Sequence, residues 1–173
     1  MTARPKARAR TRLVVFWILT VLWMVAIFCF SSATGPQSQR ESGRLAHLLM
    51  GWLSPDWQTL PSDAQVALFE RYDYFVRKCA HMLEYLLLGV SCTLAVRQSF
   101  ALARRRQGAR DLLAPTLAST AICIAYAATD ELHQLFVSGR AGMVQDVGID
   151  TLGAVLGISL ATLGLWLLWR RAS

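Results

Sequence analysis

Apolar and polar positions alternate along the chain in long blocks. Residues 13–30 form an apolar run without charge. A second run covers about 76–96 and carries Arg77, Lys78, His81 and Glu84 near its start. A third covers 112–131 and is uncharged until Asp130, and a fourth, 147–169, has Asp150 near its start. At 1.5 Å rise per residue, about 20 residues cross a hydrocarbon layer. The pattern therefore predicts an all-α fold, a four-helix transmembrane bundle. It divides the chain into a basic amino-terminal segment (1–12), a transmembrane domain (13–169) and a short tail (170–173).

The segment 31–75 is too long for a bare connection. Ser38-Gln39-Arg40-Glu41 reads as a capping box. Leu45, Leu48, Leu49, Trp52 and Leu53 follow at helical spacing. This predicts an amphipathic helix lying in the membrane interface, with ordinary packing onto the bundle as the alternative and His47 as an interfacial residue. Ser54-Pro55-Asp56 ends it. Ser62-Asp63-Ala64-Gln65 is a second capping box, opening a helix that feeds into the second span. Gly153, Gly157 and Ala161 make a small-residue stripe, as do Ala118, Ala121, Ala125 and Ala128. Small residues let helices approach in lipid, so contact between the third and fourth spans is expected.

Composition narrows the class. Hydrophobic residues are 54% and charged residues 17%, too apolar for a disordered basic tail. The net charge of +7 is spread between apolar blocks, which argues against a nucleic-acid partner. Four Cys without C-x-x-C spacing exclude a zinc ribbon or a disulfide scaffold, and packing is their expected role; a Cys29–Cys79 bridge is the alternative. Residues 13–30 exceed a signal-peptide core and are expected to remain as an anchor.

Charge predicts orientation, because Lys and Arg beside a span stay cytoplasmic. Segment 1–12, the connection 97–111 and the tail hold twelve of the eighteen basic residues and one acid, Asp111. Four helices with both termini cytoplasmic fit that asymmetry.

Polar groups then fall in one layer. His81 and Glu84 lie roughly 6 and 10 Å inside the outer boundary, measured by helical rise from Arg77. Asp130, Glu131, His133 and Gln134 reach the same boundary from the third span, Asp146 and Asp150 from the fourth, and Ser31 and Ser32 from the first. The inner halves of the spans carry no ionisable residue, which disfavours a single-subunit ion path. Intramembrane ionisable groups suggest a functional site. His81, Glu84, Asp130 and His133 are the catalytic candidates, with a His as general base. Lys78, Tyr85, Glu131, Gln134, Arg140, Asp146, Asp150 and Ser32 are the candidates for substrate contact. Lys78 and Arg140, with Arg77 as a further candidate, would hold an anion. A His and a carboxylate from each of two helices resemble bundle metal sites, but Lys78 repels a cation, and no metal is assigned; the cofactor is left unknown. A polar network serving only structure is the remaining alternative.

Taken in order, these residues resemble the VanZ-like family of bacterial membrane proteins. The matching segments are Lys78-Cys-Ala-His81-Met-Leu-Glu84-Tyr85, Asp130-Glu131-Leu-His133-Gln134, Arg140, and Asp146-Val-Gly-Ile-Asp150-Thr-Leu-Gly153, with Phe30-Ser31-Ser32 before them. Asp150 stands where the family is expected to have Asn, and Ser138 where it is expected to have Pro. The resemblance implies a multi-pass protein of the bacterial inner membrane that serves the cell envelope. The family takes its name from a protein associated with teicoplanin resistance. Membrane lipids and a lipid-linked envelope precursor are the partners it suggests. It supplies no reaction, so three readings remain: a binding or accessory protein, a hydrolase or transferase, and a structural module.

Overall fold

A computed structural model describes residues 3–104 and 112–172, and every regular element among them is helical. The helices are α1 (Ala3–Ser31), α2 (Gly35–Leu53), α3 (Ser62–Arg104), α4 (Leu113–Gln134) and α5 (Val144–Ala172), with a 3-10 turn at Pro55–Thr59 between α2 and α3. Arg105, Arg106, Arg110 and Asp111 of the expected cytoplasmic connection lie outside the described residues.

Among the described residues, three helices are long and apolar enough to cross a membrane: Lys6–Ser31, Ser62–Ala103 and Val144–Arg171. The remaining expected span, the third in chain order, coincides with α4. That helix has 22 residues, but Pro115, Thr116, Ser119 and Thr120 dilute its apolar character. It nonetheless lies along α5, with the Thr116 and Thr162 hydroxyls 3.4 Å apart.

Chain directions alternate. α1 runs antiparallel to α3, because Trp17 Nε1 donates to Ser99 Oγ (3.1 Å) while Trp23 Nε1 donates to the Glu84 carbonyl (2.7 Å). α1 and α4 run parallel: Tyr126 OH donates to the Met24 carbonyl and Ser31 Oγ to Asp130. α3 and α5 also run parallel, and they make the closest contact. A Cβ on Gly153 would lie 2.3 Å from the Met82 carbonyl oxygen, and one on Gly157 2.0 Å from that of Leu86. Gly89 of α3 answers from the other side, where a Cβ would lie 2.3 Å from the Ala154 carbonyl oxygen. No side chain fits at these positions, so the backbones touch. The small-residue stripe of α5 thus packs on α3, while the expected contact between α4 and α5 is present and includes Thr116 and Thr162. Ala121, Ala125 and Ala128 are exposed; α4 buries instead Ser119, Cys123, Ala127, Asp130, Glu131 and Gln134. The core between the helices includes Ile27, Tyr85, Leu88, Cys92, Cys123 and Ile158.

α3 is a single helix of 43 residues, roughly 65 Å long, about twice a hydrocarbon layer. Its first turns support α2, whose Gly43 faces the Phe69 ring and whose Ser54 hydroxyl meets Tyr72. The apolar stripe predicted on α2 points outward: Leu48 is 71% and Trp52 85% exposed, while Gly43, Ala46 and Met50 are buried. Both expected capping boxes differ. α2 begins a turn earlier, where Thr34 caps and Gln37 accepts from the Thr34 amide at 3.0 Å. Gln65 turns back onto the Gln58 and Leu60 carbonyls. The preceding 3-10 turn offers those acceptors, which local sequence does not reveal. His47 packs on the Phe69 ring, with centroids 4.5 Å apart. All four Cys are free.

Candidate functional site

Polar side chains from α1, α3, α4 and α5 meet at one end of the bundle, next to the connection 135–143. That connection turns at Gly139, whose φ of +72° suits a residue without Cβ. Ser138 there accepts from the Gly35 amide at 3.2 Å, tying it to the start of α2. The turn presents Arg140, which donates through Nε to the Ala33 carbonyl at 3.1 Å.

The buried part of the site is built from acids. Asp130 is 3% and Asp150 1% exposed. Asp130 accepts from Ser31 Oγ at 2.8 Å and from Gln134 at 3.4 Å. Gln134 also donates to Glu131 at 3.1 Å, whose other oxygen accepts from the Met143 amide at 2.9 Å. Glu131 and Gln134, expected among the ligand contacts, brace α4 against the following connection, and Gln134 also lines a space shared with Lys78, His81 and Arg140. His81 lies beside Glu84, with Nδ1 and Oε2 3.7 Å apart. One donor atom from each of His81, Asp130 and Asp150 lies within 4.8 Å of the others. Tyr85 is fully buried, with its ring 6.2 Å from that of Tyr126 and its hydroxyl without a hydrogen-bond partner.

Two expectations about partners change. Lys78 forms an ion pair with Asp146, so its charge is already engaged. His133 is separated from this cluster: its ring stacks on Phe28, with centroids 4.4 Å apart, and its Nε2 meets Ser32 Oγ at 3.1 Å. Ser31, one residue earlier and fully buried, is the serine that reaches the acids. The reason is phase: consecutive helical residues diverge by about 100°, so only one of the two can face inward.

Asp73 was not anticipated. It is 1% exposed, pairs with Arg77 at 3.2 Å and accepts from Ser42. Its i, i+4 relation to Arg77 was legible, but its burial depends on α2 folding over the extended start of α3.

A cavity of about 310 Å³ opens between the end of α1, α2 and α3. Arg77, His81, Glu84 and Arg140 line its polar side together with Ser38, Glu41 and Ser42 of α2, and Phe30, Leu45, Val76 and Ala80 form its apolar lining. A second space of about 210 Å³ shares Arg77, His81 and Arg140, and includes Lys78 and Asp146. Burial, and then the nearby positive charge of Arg77, lower the Arg140 guanidinium from its ordinary value. An anion between the two arginines would relieve both effects.

Long apolar helices around a buried polar cluster define a helical membrane protein. The VanZ/LLP1 family model matches residues 16–168, and the chain belongs to that family. No curated protein and no solved structure matches it.

Proposed function

We propose that this VanZ/LLP1 protein is a four-span protein of the bacterial inner membrane, with both termini cytoplasmic. In this reading its polar end faces the outer leaflet and holds a phosphate-bearing, lipid-linked envelope group. The observation that carries the reading is the two-sided cavity. Arg140, and Arg77 through the donors its pairing with Asp73 leaves over, border it on the polar side, and Phe30, Leu45, Val76 and Ala80 offer an apolar wall for a chain. Arginine suits phosphate because its planar fork donates two hydrogen bonds together. The alternating helix directions support four crossings, with α4 the third in chain order. The exposed apolar face of α2, at the same end, supports a place in the interface.

Arg140 carries the anion role better than Lys78, which is paired with Asp146. His81 and Glu84 line the same cavity, and a hydrolase or transferase reading would use them as its acid and base. The test is binding of a long-chain prenyl phosphate to the purified protein in detergent. Arg140→Gln should weaken binding by roughly 10- to 150-fold, the equivalent of one charge-assisted contact, with melting unchanged. Equal binding of a neutral prenyl alcohol and the phosphate would remove the anion reading. Teicoplanin susceptibility of cells expressing the two forms tests the link to glycopeptide resistance.

A further inference from the structure

The His81, Asp130 and Asp150 cluster has chemistry that the anion cavity leaves unused. Two carboxylates are buried together, at 3% and 1% exposure, and neither forms an ion pair with Lys or Arg among the described residues. Asp130 Oδ1, Asp150 Oδ2 and the Tyr85 hydroxyl are all buried without a hydrogen-bond partner. Burying an unpaired carboxylate is costly, and burying two side by side more so. Other polar groups in the layer are accounted for: Lys78 answers Asp146, Arg77 answers Asp73, and Gln134 with the Met143 amide answers Glu131. The atoms left unanswered, His81 Nδ1, Glu84 Oε2, the Tyr85 hydroxyl, Asp130 Oδ1 and Asp150 Oδ2, gather around one histidine and two aspartates.

We infer that His81, Asp130 and Asp150 bind one divalent first-row metal ion, of the Zn²⁺ or Mn²⁺ kind. Mixed imidazole and carboxylate donors suit these ions. Donor atoms around one such ion lie roughly 3.4 Å apart in a tetrahedron, so atoms already within 4.8 Å close on an ion by small side-chain rotations. The ion neutralises both aspartates at once. Ser31 and Gln134 already donate to Asp130, and Glu84 Oε2, 3.7 Å from His81 Nδ1, is near enough to move into the hydrogen bond by which carboxylates orient metal-bound imidazoles. Of the cations near His81, Lys78 is paired with Asp146 and Arg77 with Asp73; Arg140 shares the neighbouring spaces with His81, and the two buried aspartates outnumber its single charge. His81 also lines the anion cavity, but the metal test needs no lipid, so the two readings can fail separately.

The full chain, purified in detergent and stripped with chelator, is dialysed separately against micromolar Zn²⁺ and Mn²⁺ and its metal content measured. One equivalent per chain is expected for at least one of the ions. Asp150→Asn and His81→Gln should each lower affinity at least about 10- to 100-fold, while Glu70→Gln, at an exposed position, binds as the parent does. A proton shared between the two aspartates predicts no uptake, and that result overturns the site. So does unchanged binding by Asp150→Asn or His81→Gln. Should both variants fail to fold, the parent protein decides: electron paramagnetic resonance of bound Mn²⁺, or the visible spectrum of Co²⁺ in its place, must show a nitrogen-ligated ion. A spectrum of the hydrated ion overturns the site.

Discussion

Lys78 of α3 is ion-paired with Asp146 of α5. The pair lies at the polar end of two helices whose backbones touch through Gly153 and Gly157. Both side chains are largely buried.

Removing one partner of this pair should therefore act on stability. Lys78→Met leaves Asp146 uncompensated and should cost about 3–5 kcal/mol, whereas Lys78→Met with Asp146→Leu should recover much of that loss. Melting of the three proteins in detergent checks the order. A single variant as stable as the parent would mean that the ion pair contributes nothing.

The contact between α3 and α5 makes a sharper steric prediction. Gly157→Ala should destabilise by about 1–3 kcal/mol, and Gly157→Leu by more, because the new atoms meet the Leu86 carbonyl. Gly164 lies on the same helix, with open space where a Cβ would stand. Gly164→Ala should be neutral or stabilising by up to about 1 kcal/mol. Yield and melting temperature of the two alanine variants test this directly.

Ser31 and Ser32 should behave differently although they are adjacent. Ser31→Ala removes the 2.8 Å hydrogen bond to buried Asp130 and should cost about 1–3 kcal/mol. Ser32 is exposed, and Ser32→Ala should change stability by less than about 0.5 kcal/mol. Equal melting of the two variants would count against the inward placement of Ser31.

Topology has its own test. Reporter fusions after Ser173 and within 101–107 should read as cytoplasmic, and one within 54–62 as external. Reversal of any of the three removes the proposed orientation.

Much of this site was legible before the structure. The layer containing His81, Glu84, Asp130, Asp146 and Asp150 followed from helical rise, because depth in a straight helix depends only on position in the chain. Which members of the layer meet was not legible. His81 joins Asp130 and Asp150, while His133, at similar depth, turns to Phe28 and Ser32. Depth is a local quantity; contact also depends on the rotation of each helix about its axis.

The same distinction separates what the sequence determined by itself from what the tertiary structure decided. Hydrophobic periodicity sufficed for an all-helical chain, for the long apolar helices and for polar residues gathered near their ends, since each depends on one helix and its solvent. Pairing of α3 with α5 through Gly89, Gly153 and Gly157, burial of Asp73 beneath α2, and engagement of Lys78 by Asp146 required the helices to be assembled. Small residues permit close approach on any neighbour; only the complete packing selects the partner, and that choice sets which charges are answered and which remain available for a ligand.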